Sequence, residues 1–191
     1  MKRALILVTV LLSVSGAFAQ SGMNSTGSKY NFRFSPVALL IGIANVSLDV
    51  VISPEWTLGP SLSYAKFKID AKGNSGTSYD VNLASAGVRA NWFKNGVYTD
   101  GIYVGPFVTY LKTSIGATGT TTITGDAAGV AFGSLVGYGW FWNSFNMMLG
   151  GGAAVATGES NIVVTDSNGN RTDIPNRGVG VTGEYTIGWT F

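Results

Sequence analysis

Cysteine and histidine are both absent from the 191 residues, and only 12% of the residues are charged. Without Cys there is no disulfide scaffold, thiol nucleophile, iron–sulfur cluster or Cys-ligated zinc. Without His there is no Ser-His-Asp triad and no imidazole metal site. No cofactor or metal is expected. The charged share is about half that of an ordinary soluble domain. What the chain has instead is glycine, 27 residues, and aromatic rings, with 5 Trp, 8 Tyr and 10 Phe. So many rings with so little charge argue against a disordered tail, and the length fits one domain.

The N-terminus reads as a secretory signal. Met1-Lys2-Arg3 is basic, Ala4 to Val14 is apolar, and Ala17-Phe18-Ala19 precedes Gln20. A basic start, a short apolar run and an A-x-A site predict cleavage between Ala19 and Gln20. No Cys follows the apolar run, which excludes lipoprotein processing. Residues 1–19 are then the signal, 20–29 a periplasmic linker and 30–191 the folded domain. Lys2 and Arg3 leave with the signal, so the full chain's 12 basic residues against 10 acidic ones become an even balance. That removes any basic footprint for nucleic acid.

The remainder alternates with period two. In Gly178–Phe191 the odd positions carry Val179, Val181, Tyr185, Ile187, Trp189 and Phe191, and the even ones carry Gly, Thr and Glu184. This is a strand with one bulky apolar face and one small polar face. The pattern recurs in Asn45–Ile52, Trp56–Phe67, Gly101–Leu111, Val130–Trp142 and, more weakly, Met147–Thr157. Tyr30–Leu40 reads as a first strand ending in a tight turn at Gly42–Ala44. Tyr79–Phe93 changes phase, and a bulge near Ala84–Gly87 would reconcile its two halves. Eight strands result. Short connections at Ser53–Glu55, Lys94–Asp100 and Asn143–Phe145 alternate with longer polar ones at Ile69–Ser78, Lys112–Asp126 and Gly158–Arg177.

Volume decides which way the apolar face points. The interior of an eight-stranded barrel is just wide enough for side chains. Five Trp and most of the Val and Leu would not fit there, whereas Gly, Ser, Thr and Ala with a few charges would. The fold class is therefore all-β: an eight-stranded antiparallel up-and-down transmembrane barrel with its apolar face outward. The aromatic residues agree. Trp56, Trp92, Trp140, Trp142 and Trp189 fall near the short turns, and Tyr64, Tyr79 and Tyr110 fall near the long loops. From Trp56 to Tyr64 is about 20 Å along the membrane normal, close to the apolar band of outer-membrane barrels. Two such belts form an aromatic girdle.

A signal sequence, eight amphipathic strands, short turns on one side and a terminal Tyr185-Thr-Ile-Gly-Trp189-Thr-Phe191 strand together resemble the small outer-membrane β-barrels of Gram-negative bacteria, of the OmpX, OmpW and OmpA-barrel type. The resemblance implies a monomer in the outer membrane, among its lipids and lipopolysaccharide. It also implies that the last strand, with Phe191, Trp189 and Tyr185, is read by the barrel-assembly machinery. Lipid A enzymes of that architecture use a His-containing site, which this chain cannot supply, so no enzyme is expected.

Four charges fall on the small-residue face: Arg33, Asp49, Arg89 and Glu184. A charge facing lipid costs about 2–4 kcal/mol for Arg near the midplane, so they belong in the lumen. Two of each sign favour an ion-pair plug over a selectivity ring. Three motif matches are set aside. Gly178-Val-Gly-Val-Thr-Gly183 fits G-x-G-x-x-G but sits inside the last strand, with no helix after it. Asp166-Ser-Asn168-Gly-Asn170 opens like a calcium loop and then places Arg171 and Arg177 where Gly and Glu are needed. Asn24-Ser-Thr26 lies in the linker. The expected role is structural or surface interaction through the long loops, with an extracellular partner and no nucleic acid. The alternative is a narrow channel for ions or small solutes.

Overall fold

The computed structural model describes residues 27–70, 78–118, 122–160, 162–165, 171–174 and 177–191. The expected signal, its cleavage site and residues 20–26 of the linker lie outside these residues, as do Asp166–Asn170 and parts of the long loops.

Eight strands form the wall: β1 (Tyr30–Phe34), β2 (Ile43–Ser53), β3 (Trp56–Asp70), β4 (Ser78–Phe93), β5 (Gly101–Thr118), β6 (Thr122–Trp142), β7 (Phe145–Ser160) and β10 (Arg177–Thr190). Each pairs antiparallel with its neighbours, and β1 pairs with β10 to close the barrel. Closure through β1 covers the β10 edge over Ile187–Thr190, which limits the strand edge that a bilayer cannot tolerate. At the seam the Phe191 carbonyl accepts from the Lys29 and Tyr30 amides at 3.0 Å, and the Phe191 amide donates to the Tyr30 carbonyl at 2.9 Å.

The register fixes the tilt. Following pairs from Arg33 through Ser47, Ser61, Gly87, Thr109, Ala131 and Ala156 leads to Gly178, ten residues from Gly188, which pairs with Arg33 directly. A stagger of that size tilts the strands and leaves a narrow bore. Within the described barrel it puts the odd residues of β1 to β6, up to the register shift at Val51/Ser53 in β2, in one phase with the even residues of β7 and β10, the phase of the lumen charges.

Three sequence expectations change. The first strand stops at Phe34, and Pro36–Leu40 form a short helix, α1. Ser35 caps it, accepting from the Ala38 amide at 3.3 Å. Pro36 occupies the first turn, where its missing N–H costs nothing. Gly42, at φ +84°, ends it in the left-handed conformation that suits Gly. The second change is in β4, which pairs without a shift from Ser78 to Arg89, so there is no bulge at Ala84–Gly87. The third is in the loops. Much of Lys112–Asp126 is strand, as β5 and β6 run on past the barrel, and the segment after β7 contains a hairpin of β8 (Ile162–Thr165) and β9 (Arg171–Ile174) paired to Thr122–Thr124. Thr- and Ile-rich stretches such as Thr122–Thr124 have the β-branched composition that sustains pairing beyond the membrane.

Candidate functional site in the barrel lumen

The alternation brings the four lumen charges together. Arg33 on β1 is fully buried and donates to both oxygens of Asp49 on β2, at 2.7 Å from Nε and 3.0 Å from Nη2. Its Nη1 lies 3.5 Å from Glu184 Oε2 on β10 and 3.4 Å from Thr186 Oγ1. Arg89 on β4 donates from Nη1 to the same Glu184 oxygen. The other Glu184 oxygen accepts from the Tyr103 hydroxyl at 2.6 Å. Amides extend the network. Asn91 donates to Asp49 at 3.3 Å and to Thr57 at 3.2 Å, and Asn146 donates to Asn31 at 2.8 Å. Charges held in this way satisfy one another in a medium where lone charges would be costly.

Below the charges, towards the short turns, the lumen carries rings. Phe93, Tyr103 and Met148 form a buried cluster with Phe141 and Val97 packed on it. Tyr98, in the turn between β4 and β5, folds back to 6.4 Å from Phe93 and 5.8 Å from Phe141, centroid to centroid. Burial, then the negative charge of Asp49, pushes the Tyr98 phenol above its ordinary pKa. Sequence reasoning missed these rings because it reserved the lumen for small residues. The bore accepts them because glycines face them: a Cβ on Gly137 would come within 2.6 Å of the Tyr103 ring, and one on Gly139 within 2.7 Å of Phe141. The signal was present in the phase, since Phe93, Tyr103, Phe107 and Phe141 all alternate with Arg89.

Above the charges, towards the long loops, lies a cavity of about 630 Å³. Ser61, Ser63, Ser85 and Thr109 line one side, with Phe107 and Leu135 beside them. Val37, Ala38 and Ile41, around α1, line the other, and Arg89 and Glu184 are in its lining too.

The outer face carries rings near both ends of the strands. Trp56 pairs with Trp92, Trp142 with Phe145, and Trp140 lies tilted against Tyr138, 4.9 Å between ring centroids. Tyr64 and Tyr110 are exposed at the far end of the band. Trp189 lies between Phe34 and Phe145, at 6.1 and 5.7 Å. Tyr185 pairs with Leu149 in the outward phase, and Phe191 stacks on Tyr30 at 5.7 Å. Every outward position between the two belts is uncharged, as a lipid-facing surface requires. Tyr79, also expected in the girdle, pairs with Ile69, five residues beyond Tyr64, with its backbone in phase with Arg89. The side chain of Tyr79 lies outside those described.

A family model, the Autotransporter beta-domain, matches residues 12–145, well over half the chain. The chain belongs to the autotransporter β-domain family. Comparison with curated proteins gives no match. Membership and the closed barrel together identify an integral outer-membrane β-barrel of the Gram-negative envelope. The family match ends at the first residue of β7, so the last two wall strands rest on the pairing alone. As a β-domain of this family, the chain presents its polar network and rings inside a wall whose outer surface is uncharged between the two belts.

Proposed function

We propose that the protein is a monomeric membrane scaffold of the OmpX, OmpW and OmpA-barrel type, without enzymatic activity, whose lumen is blocked and whose long loops meet an extracellular partner. The observation that carries this is the cross-bore network of Arg33, Asp49, Arg89 and Glu184 standing on the Phe93, Tyr103 and Met148 cluster. In a bore of this width, two such layers leave no continuous aqueous path. The extended β5–β6 and β8–β9 hairpins supply the projecting surface, and loops held by a rigid wall are where binding residues collect. The C-terminal strand, ending in Tyr185, Trp189 and Phe191, is the element that the assembly machinery reads, after removal of residues 1–19 at Ala19–Gln20.

A narrow channel is the second reading, favoured by the open cavity above the charges. Single-channel recording of the refolded protein in a planar bilayer separates the two. A silent wild type, with Asp49→Asn or Glu184→Gln beginning to conduct, supports the blocked lumen. Discrete wild-type conductance that shifts with those substitutions supports the channel.

A further inference from the structure

β1 stops at Phe34, so above it the wall is broken between β2 and β10. Away from that break, β3, β4 and β5 pair residue for residue over Pro60–Lys66 and Asn82–Arg89. Their even residues face outward. On β4 these are Asn82, Ala84, Ala86 and Val88. Ala84 lies beside Tyr64 of β3, and Ala86 beside Tyr110 of β5. Both rings are 53% exposed, so they stand up from the wall on either side of two methyl groups. The result is a groove that follows β4, flanked further down by Leu62 and Val108. From Asn82 to Val88 it descends about 15 Å along the membrane normal, the depth of one leaflet. The flanking strands are about 10 Å apart before the rings narrow the gap, which excludes a helix about 10 Å across and admits a single acyl chain.

The head of the groove is cationic. Lys66 and Lys112 follow Tyr64 and Tyr110 by two residues on the same outer face, and both are exposed. The stagger of ten residues around eight strands amounts to two to three residues from β3 to β5. Lys112 shares a pairing row with Tyr64, and the stagger brings it level with Lys66. At one height the two backbones are about 12 Å apart, and two long side chains can meet over Asn82, which pairs with Lys66. Neither lysine forms an ion pair among the described residues. Lys68, the next outward residue of β3, stands opposite Asp80, which offsets its charge. Asp126 and Glu159 lie beyond β5, on β6 and β7, and Asp126 accepts from the Ser114 hydroxyl.

We propose that the outer face of β3–β5 binds one phosphorylated glycolipid of the outer leaflet, with a phosphate on Lys66 and Lys112 and an acyl chain in the groove over Ala84 and Ala86. Lysines just beyond an aromatic belt sit at the depth of lipid head groups and attract their phosphates. A phosphate has oxygens enough to accept from two ammonium groups at once. The inference rests on the long hairpins pointing outward, as they do in barrels of this kind, because the leaflet on that side of a Gram-negative outer membrane is built of phosphorylated glycolipid. It makes no use of the lumen, so it stands whether or not the lumen conducts.

Native mass spectrometry of the refolded protein in detergent tests this, with bisphosphorylated lipid A and the same lipid after dephosphorylation as probes. One lipid A per barrel is expected, held at least about tenfold more tightly than the dephosphorylated form. Lys66→Gln and Lys112→Gln should each weaken binding about fivefold, the effect of one lysine beside a charged lipid surface. Ala86→Phe fills the groove without touching a charge and should weaken binding as much, while Lys68→Gln should change it less than about twofold. All four positions lie on the outer face, and folded gel mobility confirms the barrel in each variant. The proposal is overturned by a wild type that retains no lipid A, by equal binding of the two probes, by a folded Lys66→Gln/Lys112→Gln or Ala86→Phe variant that binds as before, or by the mass of two barrels in place of a barrel with lipid. Binding in detergent does not depend on which way the barrel is inserted, so its failure is distinct from a failure of the orientation, which protease cleavage of the long hairpins on intact cells reads.

Discussion

Asp49→Asn is the sharpest perturbation of the lumen. Arg33 has no exposed side-chain surface, and Asp49 has 2%. The carboxylate accepts two guanidinium bonds at 2.7 and 3.0 Å and a further one from Asn91 at 3.3 Å. The substitution keeps the shape and removes the charge, leaving a buried guanidinium whose remaining counter-charge, Glu184, is 3.5 Å away and shared with Arg89. Removing one partner of a buried pair costs about 3–5 kcal/mol, and the residual attraction of Glu184 puts this case near the lower end, about 3 kcal/mol. Replacing both partners by apolar residues of similar volume, Arg33→Met with Asp49→Leu, removes the stranded charge and should fall within about 1 kcal/mol of wild type. Urea unfolding in phospholipid vesicles, followed by Trp fluorescence, reads both values from the linear extrapolation. A cost for Asp49→Asn below about 1 kcal/mol, the range of an exposed pair, would refute the buried geometry. So would a double variant as unstable as the single one.

The glycines should divide by what faces them. Gly137→Ala drives a methyl into the Leu149 carbonyl and the Tyr103 ring and should cost about 1–3 kcal/mol, while Gly183→Ala, whose nearest atom would be 3.6 Å away, should be near neutral in the same unfolding assay. Tyr98→Phe removes a hydroxyl that has no partner, so at pH 7 the change should stay within about 1 kcal/mol. Because the Tyr98 phenol is raised in the folded state, that state keeps a proton which the unfolded chain loses. Stability is therefore fully present below about pH 10 and falls as pH rises beyond it, and Tyr98→Phe should flatten that alkaline decline. Deleting Phe191 removes the carbonyl that accepts from Lys29 and Tyr30 at the seam. It should lower the amount of folded barrel in outer-membrane fractions, and undiminished levels would count against a recognition role.

Most of the wall was legible because the bilayer imposes period two on every spanning strand, and a single residue such as Glu184 in the run Val179 to Phe191 declares its side by phase. The four lumen charges followed from the same rule. What the rule could not see was volume complementarity across strands. Phe93, Tyr103 and Phe141 share the phase of Arg89, and Tyr103 fits the bore because Gly137, on the neighbouring strand, and Gly150 face it, while Gly139 stands beside Phe141 on its own strand. A residue-by-residue count of bulk treats each ring as too large. The facing pairs show that a large residue and a glycine together fill about what two middle-sized residues would. In β4 the same assumption led to a bulge, because Val81 and Leu83 looked out of place on the lumen side.

The other failure of alternation is at Ser35–Gly42, and it coincides with the break in the wall. Pro36-Val-Ala-Leu-Leu-Ile41 is apolar at every position, so it has no polar phase to place in a lumen and cannot serve as a wall strand with a lipid face and a polar face. Pro36 also lacks the amide that a wall strand would give to its neighbour. Ser35 as cap and Pro36 in the first turn were the readable signs of a helix. The one-turn helix makes a few backbone bonds of its own, from the Leu39 amide to the Ser35 carbonyl and from the Ile41 and Gly42 amides to Ala38 and Leu39, in place of the ladder between β2 and β10. The cost is borne by the β10 edge, where Val179 and Val181 stand exposed. A local rule broken without compensation in the ladder marks a place kept for another reason. Here it is the place where the apolar side of the cavity and the outer surface of the barrel meet.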